Sequence, residues 1–152
     1  MALAGIRLRT AVVKDMETLA AIEQESFPDP SWTAADFLRY DCTVAEIQMP
    51  ETEMPVIAGF LVSMETFPGT AETPPEREIL NLAVAVDFRR LGIAKRLLNR
   101  EIQRRATLHL EVRESNVAAV HLYRNAGFTD MSVRRNYYDN PVESAIVMCL
   151  KW

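Results

Sequence analysis

Alternation of apolar with polar or small side chains over residues 6–12 predicts an opening strand. The pattern then changes to helical spacing over 14–26, with Met16, Leu19, Ala20 and Ile22 on one stripe, and stops before Phe27-Pro28-Asp29-Pro30, whose prolines resist helix continuation. A second helix is expected after Ser31 with Ala34, Phe37 and Leu38 inward. Strands are expected over 42–48 and 56–64, as an antiparallel hairpin joined across a polar tip at 49–55. Residues 67–75, rich in proline and threonine, read as an exposed, mobile loop. A largely apolar strand over 78–86 follows, then a helix from about 90 to 105 with Ala94, Leu98 and Ile102 at steps of four, and a strand over 108–112. Residues 116–126 form a helix capped by Ser115 or Asn116, striped by Ala119, Leu122, Tyr123 and Ala126, and ended by Gly127. Two last strands, 128–137 and 144–151, flank the turn Asp139-Asn140-Pro141.

That order predicts an α+β chain: a single mixed, mostly antiparallel sheet flanked by helices, forming one domain over residues 1–152. Composition agrees, since 152 residues with 49% hydrophobic and 25% charged side chains suit one compact core. No run approaches the roughly 20 apolar residues of a membrane span, and Arg7 and Arg9 are followed by no apolar leader segment, so a soluble, cytoplasmic protein is expected. The formal charge of −4 argues against direct nucleic-acid binding, which needs a basic surface, and is compatible with a cationic amine as substrate.

Cys42 and Cys149 form no C-x-x-C pair and stand among no histidines at ligand spacing, so neither a disulfide framework nor a metal site is expected. Cys149, in an alternating run, reads as a small buried hydrophobe. With His109 and His121 as the only histidines, hydrolase triads have few candidate members. The basic cluster Arg89, Arg90, Lys95, Arg96, Arg100, Arg104 and Arg105 reads, taken alone, as a solvated helix face.

Chemistry concentrates where the strand over 78–86 runs into Arg89-Arg90-Leu91-Gly92-Ile93-Ala94. A glycine at a helix start lets the backbone approach a ligand, and unpaired amides there offer donors to an anion, reinforced by the helix dipole and flanking arginines. The physical reading is a pyrophosphate cradle. It is neither the G-x-G-x-x-G dinucleotide fingerprint nor a P-loop.

The segment resembles the Q/R-x-x-G-x-G/A signature of GNAT acetyltransferases, with Ala94 as the permitted small residue. The run from Leu110-Glu111-Val112-Arg113 through Asn116 to Leu122-Tyr123 and Gly127-Phe128, with Arg134-Arg135-Asn136-Tyr137-Tyr138, resembles the RimI-type ribosomal-protein alanine N-acetyltransferases within that superfamily. The resemblance implies the GNAT (acyl-CoA N-acyltransferase) fold, acetyl-CoA as cosubstrate without a metal, and a protein N-terminus, ribosomal proteins included, as partner. It implies further that the backbone of Leu82, Ala83 and Val84 holds the pantetheine arm. Arg89, Arg90, Leu91, Gly92, Ile93, Ala94 and Lys95 would cradle the pyrophosphate, and Asn116 would contact the cofactor.

By the same resemblance Glu111 is the general base and Tyr123 the general acid, roles that fit a reaction in which an ammonium loses a proton and a thiolate gains one. Glu111 alternates with Leu110 and Val112 and therefore points away from the apolar face of its strand. His109 shares that face and is a candidate proton relay. Tyr137 and Tyr138 would form one wall of a peptide slot and the segment with Phe27 and Trp32 the other. That segment is longer than the Phe-Pro-Trp of typical RimI sequences, which leaves the acceptor open between a peptide α-amine, a lysine side chain and a small-molecule amine. A non-catalytic CoA-binding or protein-interaction domain is the rival of another class.

Overall fold

A computed structural model describes residues 5–30 and 32–152 of the chain. Its strands are β1 (Ile6–Thr10), β2 (Asp41–Ile47), β3 (Val56–Phe67), β4 (Glu76–Val84), β5 (Thr107–Arg113), β6 (Thr129–Asp139) and β7 (Val142–Leu150). The α-helices are α1 (Met16–Ser26), α2 (Ile93–Ile102) and α3 (Val117–Asn125). One seven-stranded sheet runs in the order β1-β2-β3-β4-β5-β7-β6. It is mixed: β1 with β2, β5 with β7 and β6 with β7 pair antiparallel, whereas β4 and β5 are parallel.

Contacts group the chain into two compact units, one holding the described residues up to Val62 with Asn81–Leu98, the other Ser63–Leu80 with Asn99–Trp152. In the first unit, Leu19, Ile22, Phe37, Val44, Phe60, Ile93 and Leu97 are buried. A charged network accompanies them: Arg9 donates to both Asp15 oxygens at 2.7 and 3.1 Å and to Glu46 at 2.9 Å. In the second unit the core comprises Leu108, Leu110, Val112, Val120, Tyr123, Phe128 and Met148. A buried ion pair joins Arg77 and Glu101 at 2.9 Å, with Arg104 at 3.0 Å on the other carboxylate oxygen.

Four expectations need correction. The helix expected after Ser31 (a residue outside those described) is a single 3-10 turn, Asp36–Leu38. The Asp36 carboxylate accepts from Thr33 N–H at 2.7 Å, and β2 starts at Asp41, so too few residues remain for a longer helix. Phe37 is buried as expected, but Leu38 is 54% exposed.

Of residues 67–75, Phe67 ends β3 and Gly69, Pro74 and Pro75 are half-buried, and Thr70–Thr73 form a closed turn: Thr70 N–H donates to Thr73 O at 2.8 Å, and the Thr70 hydroxyl accepts from the amides of Glu72 and Thr73. The strand expected over 78–86 is β4, Glu76–Val84, and Val86–Phe88 is a 3-10 turn. The two added residues bring in a buried charge, Arg77, which has Glu101 and Ser63 as partners. Finally, α2 starts at Ile93 and not at Arg90, since Arg90 (φ 62°) and Gly92 (φ 77°) are left-handed. Its buried stripe is Ile93, Leu97, Leu98 and Glu101; Ala94 and Ile102 lie at the margin.

Candidate active site

The first unit carries the glycine-bearing segment. Gly92 O accepts from Arg96 N–H at 3.1 Å, so Gly92 stands at the head of α2, with the next amides at the helix's unpaired start. A Cβ built on Gly92 would meet nothing within 4 Å; glycine is required there by its φ of +77°, and the space in front is open. Arg90, Gly92 and Lys95 are exposed, whereas the Ile93 side chain is core, leaving its backbone as the group that can face a ligand. The segment therefore presents an open surface with backbone amides at a helix start and exposed cations, a setting suited to an anion.

Arg89 differs from its neighbours. Its Nε–H donates to Val84 O at 3.0 Å and its Nη2 to Ser26 Oγ at 3.4 Å, which ties the end of β4 and the end of α1 to the loop. Beside this tie a cleft of about 490 Å³ opens along Thr18, Ala21, Ile22 and Glu25 of α1, Ile57, and residues 85–87.

Sequence reasoning passed over Gly59. A Cβ there would stand 2.8 Å from Ala83 O and 3.2 Å from Val84 Cγ2. Only glycine lets β3 come this close to the last residues of β4, where Ala85 N–H also donates to Ala58 O at 2.8 Å. The available signal was an isolated glycine inside a strand pattern. Phe27 and Trp32 are half-buried. The Trp32 ring packs 5.1 Å from Phe37 and 5.7 Å from Tyr40, anchoring that segment in the unit's aromatic cluster.

The second unit carries the acid–base candidates. β5 alternates as its sequence required: Leu108, Leu110 and Val112 are buried, and His109, Glu111 and Arg113 face the other way. Glu111, with its side chain 19% exposed, lies 3.1 Å from Arg134 Nε. Tyr137 hydrogen-bonds the same carboxylate, and this bond first, then burial, raises its phenol above the usual range. His109 sits 3.8 Å from Glu76 of the adjacent strand β4, both side chains being half-exposed.

Tyr123 is buried on α3 at 6% exposure, its ring 5.6 Å from Phe128. Burial, and secondarily Tyr138, pushes its hydroxyl well above the ordinary tyrosine value, so it remains a proton donor. Asn116 caps α3, accepting from Ala119 N–H at 3.2 Å. Tyr137 and Tyr138 meet edge to face at 5.0 Å. Burial first, then Glu111, pushes Tyr138 up to about 12.

Arg113 was not singled out from sequence. Its guanidinium lies 4.0 Å from the centre of the Tyr138 ring and donates to Glu143 at 3.1 Å and to Pro141 O at 3.3 Å. Ser115 also donates to Glu143, at 3.0 Å, and Ser115 first, then Arg113, holds that carboxyl below its usual range. The result is a strut from the end of β5 to Tyr138 of β6 and the turn that follows it.

Neither cysteine is placed as a nucleophile: both are buried, and burial pushes the Cys42 thiol up to about 12 and raises that of Cys149. Among the described residues, no group of three or more His, Cys, Asp or Glu could hold a metal ion, and no helix is long and apolar enough to cross a membrane.

Comparison with known proteins adds to this geometry. The sequence matches the "Acetyltransferase (GNAT) family" over residues 15–128. The [Ribosomal protein bS18]-alanine N-acetyltransferase of Haemophilus ducreyi is 32% identical over 151 residues, 94% of this chain and 98% of that protein. The protein of the same name from Escherichia coli K12 is 42% identical over 94 residues, 57% of this chain; the match spans only 64% of that relative's length. The crystal structure of the ribosomal-protein-S18-alanine N-acetyltransferase from Escherichia coli superposes with a TM-score of 0.75 at 29% identity, over 96% of this chain and 93% of that one.

Proposed function

This chain belongs to the GNAT acetyltransferase family, and from that membership we propose that it transfers acetyl from acetyl-CoA directly to the N-terminal α-amine of a protein, a ribosomal protein with N-terminal alanine being the acceptor most in keeping with its relatives. A ribosomal acceptor would put the protein in the cytoplasm. The observation that carries the reading is Glu111: a partly exposed carboxylate on the polar face of β5, held by Arg134 and Tyr137, in the same unit as a buried tyrosine that stays protonated.

Acetyl-CoA supplies an activated acyl group whose carbonyl a neutral amine can attack. The backbone at Leu82, Ala83 and Val84 would hold the arm that carries the thioester. The open amides and cations from Arg90 to Lys95 would hold the pyrophosphate, and Asn116 would add a contact from the start of α3. Arg89, engaged with Val84 and Ser26, would shape this surface more than bind to it.

Glu111, through a water, would take the proton that the acceptor nitrogen must lose, and Tyr123 would give one to the departing sulfur, so the nitrogen–carbon bond forms as the carbon–sulfur bond breaks. Tyr137 and Tyr138, braced by Arg134 and Arg113, and the segment bearing Phe27 and Trp32 would supply contacts to the acceptor's extended backbone. No covalent acetyl-enzyme and no metal enter this scheme.

The test is incubation with acetyl-CoA and a panel of amines: alanine-start peptides, lysine peptides and small amines. Mass spectrometry locates the acetyl group. Acetylation confined to the peptide α-amine supports the reading, and acetylation of small amines or lysine alone overturns it.

A further inference from the structure

β6 leaves regular pairing with β7 beside the proposed base. Arg134 lies opposite Ala145 and Tyr138 opposite Glu143, so four steps along β6 answer two along β7. Within that stretch Asn136 is left-handed, with φ of 52°. The register explains what this irregularity does. Glu111, Val147 and Ser132 form one row across β5, β7 and β6, and Arg113, Ala145 and Arg134 form the row two residues along, on the same face.

Arg134 therefore shares the face of Glu111 and reaches it diagonally. Tyr137, three residues further, would point to the opposite face of a regular strand. The bulged stretch turns it back, and both side chains reach one carboxylate, the guanidinium lying 5.6 Å from the Tyr137 ring centre. Bulges commonly re-aim side chains next to functional groups.

We infer that Arg134 is a positioning residue for the proposed base: a resident cation that neutralises Glu111 in the free protein, so that the carboxylate does not capture acceptor amines in their protonated, unreactive form. The inference rests on the N-terminal acetyltransferase reading, with Glu111 as proton acceptor. The physical reasoning is a competition. An ammonium has no lone pair to attack with, yet a bare, partly buried carboxylate attracts any ammonium. With the guanidinium in place that attraction is largely spent, and selection falls on the neutral fraction of each amine. At pH 7 that fraction is roughly 10% for a peptide α-amine and about 0.04% for lysine. Both amines are mostly ammonium at that pH, so Arg134 keeps either from unproductive capture and leaves the choice between them to their neutral fractions. Its side chain, 58% exposed on the terminal strand of the sheet, can swing aside as the acceptor enters.

The experiment compares wild type, Arg134→Lys and Arg134→Gln, with melting temperatures as a folding control. The first readout needs no turnover: NMR titration with Nα-acetyl-lysine methylamide, whose only amine is an ammonium. Its affinity should rise about two- to fivefold in Arg134→Gln, the range for a partly exposed ion pair, and stay at the wild-type value in Arg134→Lys. The second readout is kinetic, on an alanine-start peptide at pH 7: unproductive capture lowers kcat and KM together, so both should fall by a similar factor in Arg134→Gln, with kcat/KM unchanged, and both should be retained in Arg134→Lys. Unchanged affinity, or a loss of kcat without a matching fall in KM, would overturn the inference and leave Arg134 an orienting contact. A wild type that does not acetylate the peptide would instead defeat the acetyltransferase reading, and the titration would still decide whether Arg134 screens Glu111.

Discussion

Glu111 and Tyr123 divide the proton work between a partly exposed carboxylate and a buried phenol. Glu111→Gln and Tyr123→Phe should each lower kcat by roughly 10²–10⁴ while acetyl-CoA affinity in calorimetry changes little, as expected for losing one acid or base. Because burial raises Tyr123, its loss of the proton should limit activity only on the alkaline side of the ordinary tyrosine range, and that limb should vanish from the pH profile of Tyr123→Phe. The polar orientation of Glu111 was legible from alternation alone, since Leu110 and Val112 fix the opposite face. Its partners were not. Arg134 lies two strands away and reaches Glu111 only through the registers of β5 with β7 and β7 with β6, and Arg113 meets Tyr138 by the same route.

Two glycines make distinct demands on the elements around the proposed cofactor surface. At Gly92 space is open and the backbone is left-handed, so Gly92→Ala should cost about 1–2 kcal/mol in stability through φ strain alone. Gly92→Glu should in addition abolish acetyl-CoA binding by placing a negative charge at the head of α2. At Gly59 the constraint is reversed: the backbone is not left-handed, but a methyl group would stand 2.8 Å from the Ala83 carbonyl. Gly59→Ala should therefore destabilise by about 1–3 kcal/mol and weaken acetyl-CoA binding together, through displacement of the last residues of β4. Calorimetry and thermal melts on the three variants separate these cases. Among the described residues, periodicity and turn signals located the α-helices and strands to within a few residues; β5 is the clearest case, with alternate residues buried. It failed at 32–38, where the hydrogen bond from Thr33 N–H to Asp36 and the nearby start of β2 leave only a 3-10 turn. It also missed the turn at 67–75, closed by the Thr70 hydroxyl, a bond that composition does not reveal.

Each unit of the molecule has a charged cluster that sequence patterning did not expose, since Arg9 meets Asp15 and Glu46, and Arg77 meets Glu101, only after folding. The Arg9–Asp15 contact makes stability depend on pH on the acid side. The Arg9 hydrogen bonds hold the folded Asp15 carboxyl below its ordinary value, so Asp15 contributes stability above the unfolded-state value, and this is lost as pH falls through the lower folded one. Asp15→Asn should lower stability at neutral pH by about 1–3 kcal/mol and flatten the acid side of the curve, measured by denaturant melts from pH 7 to 3. The GNAT fold and family expected from the motifs are those found. The strand order was not legible, because β7 inserting between β5 and β6 is decided by packing and not by local pattern.

What the whole molecule does is tested most directly by one ratio. With saturating acetyl-CoA at pH 7, kcat/KM is measured for a lysine-free peptide beginning with alanine and for the same peptide N-terminally blocked and carrying one internal lysine. An N-terminal acetyltransferase whose base acts on the neutral fraction of its acceptor should prefer the free N-terminus by a factor on the order of 10². Equal or reversed values would contradict it and mark the chain as a lysine acetyltransferase.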